Sequence, residues 1–296
     1  MVVLDTLDIK KINKMAYELP TVKSKVESYN PKMIILFGKP KSGKSTLVAS
    51  IDNNLIVDLE DGYRSLSVLK VLPKKASDIF GYAEAIKKKN AELVKNNEGK
   101  YFYRFITIDN VTRLEEMAIP YAAHLYRSTP QGKNWGYVTD DKGIIKMDKN
   151  NKPIIDANAD VRKMPNGAGY QYLREAVNQL IGCFDGLCET LILVGHVKEK
   201  QIRVNSEEMS EMSLDLAGKI ADITCGKADA VGYIYREGNK TIISFEGGDN
   251  TIKEARPLHL RGKKFVVAES DDENNLTINM NQIFLPESEI TNTITV

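Results

Sequence analysis

The chain predicts an α/β fold, a doubly wound and mainly parallel sheet that antiparallel strands extend toward the C-terminus. Three observations point there. Short apolar runs recur at MIILFG (33–38), NLIVDLE (54–60), YFYRFITIDN (101–110) and TLILVGH (190–196), as expected of strands buried on both faces. Stretches with helical spacing, such as SDIFGYAEAIKKKNAELVK and GYQYLREAVNQLIGCF, lie between them, and strands alternating with helices build right-handed βαβ units. From residue 229 the pattern changes: ADAVGYIYREGNKTIISFEGG reads as two alternating strands about a turn at 237–240, and PLHLRGKKFVV supplies another, the signature of an antiparallel edge.

In order along the chain, residues 1–30 form an N-terminal helical segment, with Leu7, Ile9, Ile12, Met15 and Leu19 at roughly helical spacing and lysines between them. Residues 31–267 form the core. Within it, 127–168 has no helical period but carries the turn clusters DDKG, DKNNKP and PNGAG, so it reads as an inserted hairpin or loop rather than a second domain. Residues 268–296 are acidic and rich in Asn and Thr and are expected to form a loosely held tail. No internal repeat is evident.

Composition narrows the function. At 296 residues and 42% hydrophobic, the chain can bury one large core or two small ones. A formal net charge of +1 gives no global field toward nucleic acid or membrane, so a polyanion site must come from local lysine clusters. Cys183, Cys188 and Cys225 are odd in number and have no CxxC spacing, which argues against a disulfide framework or a zinc knuckle and for a reducing compartment. No stretch of 18 uncharged residues suggests a membrane span. The expected location is cytoplasmic.

The chemistry starts where the first apolar run ends. Gly38-Lys39-Pro40-Lys41-Ser42-Gly43-Lys44-Ser45, followed by Thr46, fits G-x-x-x-x-G-K-[ST], the P-loop. Glycines let consecutive backbone N–H groups turn inward as an anion-holding nest, the lysine reaches the β- and γ-phosphates, and Ser45 is placed for Mg²⁺. A chance match in a chain this long arises roughly once in 100 sequences. Other strand ends supply further groups. Asp109 ends an apolar run in the Walker B manner, suited to orienting the Mg²⁺ water shell. Glu60 follows the second strand and is a candidate general base for water, with helix capping as the plain alternative. His196 emerges from the fourth strand, where an imidazole can sense a γ-phosphate.

The order of these elements resembles the RecA-like ATPase core: a P-loop, a strand ending D-L-E, a strand ending I-D-N, then L-V-G-H and a charged loop. GHVKEK at 195–200 is similar to the RadA and DnaB-type branch. Closer still are the phage-encoded, single-domain RecA-like ATPases of single-strand annealing and recombination, through IDNVTRLEE around Asp109 to Glu116, GYQYLR at 169–174 and DLAGKIA at 215–221. The resemblance covers about residues 31–267. It implies ATP as the nucleotide, Mg²⁺ as its metal, single-stranded DNA as the polymer, a homo-oligomeric ring or filament, and a single-strand-binding protein as a possible further partner, in the cytoplasm of a bacterial host if the chain is phage-encoded. It also implies Glu60, Lys44 and His196 as catalytic groups, and a basic finger acting across subunits, for which Lys253 and Arg256 are the candidates. Lys133, Trp135, Lys198, Lys200 and Arg203 are candidates for DNA contact, with packing of a hairpin an equal alternative for Trp135. Three other readings stay open on the residues alone: a P-loop small-molecule kinase, a GTPase-like switch for which no N-K-x-D follows an apolar strand, and a nucleotide-binding assembly protein without turnover.

Overall fold

The computed structural model describes residues 19–290 apart from 24, 205–206, 249–250 and 274. Its strands are β1 (Met33–Gly38), β2 (Asn54–Asp58), β3 (Leu69–Val71), β4 (Phe105–Asp109), β5 (Thr190–Val204), β6 (Glu207–Leu214), β7 (Ala230–Glu237), β8 (Lys240–Ser244), β9 (Glu254–Ala255), β10 (Lys264–Ser270) and β11 (Leu276–Ile278). The α-helices are α1 (Lys44–Ala49), α2 (Ala76–Asn96), α3 (Val111–Arg127), α4 (Tyr170–Gly182) and α5 (Ile220–Lys227).

The sheet runs β11-β10-β8-β7-β1-β5-β4-β2-β3. From β7 to β3 every neighbouring pair is parallel, and β8, β10 and β11 add the antiparallel edge. The expected α/β class is the observed one. Ile34, Ile35, Leu36 and Phe37 of β1 are all fully buried, because helices or chain cover both faces and each face has its own apolar cluster. One cluster lies against α2, α3 and α4 and includes Ile79, Leu114 and Val177. The other lies against α1 and includes Leu36, Leu47 and Ile234. On α2, Ile79, Ala83, Ile86 and Asn90 form the buried stripe, while Lys87, Lys88 and Lys89 face solvent, as a 3.6-residue period requires.

What matters for function is register. Gly38 pairs with His196 on one side and Ile234 on the other. Asp109 pairs with Val194 and Asp58 with Asp109. The carboxyl ends of β1, β5, β4 and β2 therefore finish in line, with the chain order reversing between β1 and β5, which is where open α/β sheets collect ligands.

Four expectations meet differences. The expected charged loop after Leu193-Val194-Gly195-His196 is an antiparallel ribbon, since β5 runs on past the sheet and pairs with β6 from Val197↔Leu214 to Val204↔Glu207. The expected loose tail is built into the fold as far as residue 290. Ala268, Met280, Ile283 and Phe284 are buried, and Phe284 meets Phe105 with ring centroids 4.7 Å apart. Apolar side chains spaced through a polar segment are enough to bind it to the sheet. The N-terminal helix falls largely on residues outside those described; residues 19–23 and 25–30 contain none.

The insertion does contain a repeat. Val138 N–H donates to Ile154, Lys146 to Val138 and Ile154 to Lys146, each at 2.9 Å, closing a three-sided ring with eight residues per side. At each corner an aspartate, Asp140, Asp148 or Asp156, accepts from the backbone N–H two residues on. The eight-residue spacing was visible in the sequence, but only the aspartates recur strictly.

Candidate functional site

The P-loop closes around its own lysine. Lys41 and Gly43 take left-handed backbone angles, φ 62° and 94°, which turn the loop back on itself; the glycine adopts this without Cβ strain. Gly38 has a separate requirement, because a Cβ there would lie 2.4 Å from the Ile234 carbonyl oxygen of β7. The buried Lys44 donates through Nζ to the carbonyls of Gly38 (3.0 Å) and Lys39 (2.8 Å). Burial lowers its pKa, opposed by the negative charges of Asp109 and Glu60. A desolvated ammonium held only by loop carbonyls has a strong preference for an anion.

Asp109, at the end of β4, faces this loop. Its Oδ2 accepts from Ser45 Oγ at 2.9 Å and also from the Tyr63 hydroxyl. Burial raises the Asp109 pKa, opposed by the hydrogen bonds from Tyr63 and Ser45 and by the charge of Lys44, while Glu60 raises it further. Glu60 is exposed yet close enough to act electrostatically on both Lys44 and Asp109. The acid before it has a different task. Asp58 is buried and its Oδ1 accepts from the backbone of Glu60 (3.2 Å) and Gly62 (3.1 Å), while Lys70 bonds Asp58 (3.3 Å) and Asp61 (3.2 Å). Asp58 thus shapes the turn that presents Glu60.

His196 is tied to the residue after Asp109. Asn110 caps α3, its Oδ1 accepting from Arg113 N at 2.8 Å, so its amide nitrogen is the group that donates to His196 Nε2 at 3.2 Å. In the neutral ring the proton then sits on Nδ1, which is buried without a hydrogen-bond partner. One turn along α3, Thr112 Oγ1 donates to the Asp215 carbonyl (2.9 Å), and Glu115 Oε2 accepts from Ala217 N (2.7 Å). The helix that follows Asp109 and Asn110 is thereby fastened to the base of the β5–β6 ribbon.

The structure brings together Gly38 to Thr46, Asp109, Glu60 and His196. Other candidates lie apart. Arg256 bonds Asp229 (3.1 Å) and the Gly226 carbonyl (2.9 Å) of its own chain, beside the amino end of β7. Lys253 Nζ reaches Ser244 Oγ at 3.4 Å. Trp135 packs edge-on against Tyr126 at 5.5 Å, and Lys133 is exposed in the insertion. Lys198 is exposed on the ribbon, 4.0 Å from Asp215. Lys200 and Arg203 fall on β5 of the ribbon, and their side chains lie outside the described set.

Sequence reasoning missed Tyr63, Asn110, Glu115 and Arg236. Only Asn110 carried a readable signal, an Asn directly before a helical run. Arg236 stands two residues past Ile234, and its Nη2 lies 3.8 Å from where a Cβ of Gly43 would be. A cavity of about 740 Å³ opens at the opposite, amino ends of the strands beside Met33, Leu191 and Thr224. It shares no residue with the P-loop or the convergent carboxylates.

No helix among the described residues is long and apolar enough to cross a membrane. The model of one family, described as AAA domain, matches residues 30–256. No curated protein matches the chain.

Proposed function

The chain belongs to the AAA domain family, and from that premise we propose that it is a Mg²⁺-dependent, RecA-like ATPase that binds single-stranded DNA as a homo-oligomer and serves phage-type recombination, annealing or replication in the host cytoplasm. The observation that carries the ATPase part is the meeting of Lys44, Ser45, Asp109 and Glu60 at adjacent strand ends. The donor set fits the metal. One serine hydroxyl and one carboxylate, with the rest of the shell left to water and phosphate oxygens, is how Mg²⁺ is usually held. When bound, the metal neutralises charge on the transferred phosphoryl group.

The chain's own residues supply the remaining roles. The 38–45 amides cradle the phosphates, and Lys44 exchanges two carbonyl partners for phosphate oxygens. Glu60, the unburied acid, accepts the proton of an attacking water. His196, with its unpaired Nδ1–H, donates to an acceptor that arrives with the nucleotide. The β5–β6 ribbon supports the DNA assignment: it begins one residue beyond His196, at Val197, and carries Lys198, Lys200 and Arg203. Its acidic half, which includes Glu207, Glu208 and Glu211, confines phosphate contact to the β5 side. For a cation offered to a neighbouring subunit, Arg236 is better placed than Lys253 or Arg256, since no hydrogen bond or ion pair holds its side chain among the described residues and it stands at the P-loop edge. Annealing and recombination rest on the sequence resemblance alone.

ATP turnover with and without single-stranded DNA tests the reading for the native chain, Lys44→Ala and Glu60→Gln. DNA is expected to stimulate the native rate, Lys44→Ala to lose nucleotide binding, and Glu60→Gln to bind without turnover. Equal rates in all three would refute the site. A native rate indifferent to DNA would favour a kinase or an assembly protein.

A further inference from the structure

Two hydroxyls converge on one oxygen of Asp109. Ser45 belongs to the P-loop and is accounted for as a metal ligand; Tyr63 belongs to the loop after β2 and is not. Tyr63 is only 2% exposed, so its hydroxyl has no solvent to turn to, and it donates to Asp109 Oδ2. The backbone around it is fixed independently through Asp58 and Lys70. The phenol therefore reaches from the turn that presents Glu60 to the carboxylate at the end of β4, and it sets the rotation of that carboxylate.

We propose that Tyr63 is a positioning residue for the metal site: its hydroxyl orients Asp109 toward the metal and holds the Glu60 turn in register with it. The proposal rests on reading the site as Mg²⁺-nucleotide binding. A group that orients a ligand from behind typically governs metal affinity by 10- to 100-fold, while a group that only fills space does not.

Tyr63→Phe keeps the ring and removes the donor. With Mn²⁺ as the probe, electron paramagnetic resonance titration of the ADP-loaded protein should show the variant binding metal about 10-fold or more weakly. ADP affinity in EDTA should match that of the native chain. Unchanged Mn²⁺ affinity, even with a lowered melting temperature, would overturn the proposal and make Tyr63 a packing residue. Loss of metal-free ADP affinity to the same degree would also overturn it, because the loop would then have collapsed. Asp109→Asn separates the two levels: if it too binds Mn²⁺ like the native chain, the metal site itself is misassigned and the role of Tyr63 falls with it.

Discussion

Replacing Gly38 with alanine perturbs the site through one methyl group. Its carbon would stand 2.4 Å from the Ile234 carbonyl oxygen, where real Cβ contacts do not fall below 3.0 Å. That oxygen belongs to the backbone of β7, the hydrogen-bonded neighbour of β1, and cannot rotate aside. The strands must separate by at least about 0.6 Å at the point where the P-loop begins, an overpacking cost of about 1–3 kcal/mol. The Gly38 carbonyl is also one of the two that hold Lys44, so the displacement reaches the Lys44 ammonium. A misplacement near 1 Å costs on the order of 100-fold in rate, and a loss of nucleotide affinity approaching that factor is expected. Fluorescent-ADP titration and chemical denaturation measure the two effects. Gly81→Ala is the control: Gly81 lies inside α2 with nothing within 4 Å of its Cβ position, so it should gain about 0.5–1 kcal/mol of stability and bind normally. If Gly38→Ala matched the native chain in both assays, the tight β1–β7 approach would not be what shapes the loop.

Phe284→Ala tests the buried C-terminal segment. Phe284 is buried against Phe105, so truncation should cost about 3–5 kcal/mol, read from denaturant midpoints; a loss under about 1 kcal/mol would return the segment to the status of a loose tail. Glu115→Gln tests the joint between α3 and the ribbon base through pH. Burial raises the Glu115 pKa above its ordinary 4.5, the Ala217 N–H being the largest opposing influence. The folded chain therefore binds this proton more tightly than the unfolded one, and its stability falls as pH rises from the ordinary glutamate range through the raised value. Glu115→Gln should lack that part of the slope in denaturation as pH rises above the ordinary glutamate range, and identical slopes would count against the burial argument.

The readable parts of the sequence were those where one side chain or one local pattern decides the outcome. Ile34 to Phe37 could only be a doubly covered strand, and the glycine–lysine spacing after them left little freedom. Asp109 and His196 stood out in the sequence because each ends an apolar run. The ribbon was not legible because its polar residues resemble a loop, although its strands pair locally, from Val204↔Glu207 to Val197↔Leu214. Tyr63 and Glu115 were hidden for a different reason: each acts on a residue brought close by the fold, Asp109 forty-six positions on and Ala217 more than a hundred, and no local pattern marks either. The C-terminal segment misled because its composition is polar, whereas its binding depends on a few side chains such as Ile283 and Phe284.

The fastenings between the nucleotide end and the ribbon are not equal, and their inequality locates the joint that can yield. Glu115 to Ala217 at 2.7 Å and Thr112 to the Asp215 carbonyl at 2.9 Å anchor the return strand to α3; the first is a hydrogen bond to a buried carboxyl, the kind that is costly to leave unmade. Asn110 to His196 at 3.2 Å and Lys198 to Asp215 at 4.0 Å are longer, and the second is exposed, worth at most about 1 kcal/mol. Coupling between two sites needs an element with two arrangements that both sites bias. The anchored side at 215–217 has one. The β5 side at 196–198 has a histidine whose unpaired Nδ1–H gains a partner only when its surroundings change, and an exposed lysine whose contact with Asp215 is long. DNA stimulation of the ATPase, if the assay finds it, therefore has its physical origin at the start of the ribbon, where a phosphate drawing Lys198 from Asp215 competes with a bond far weaker than those that hold the helix.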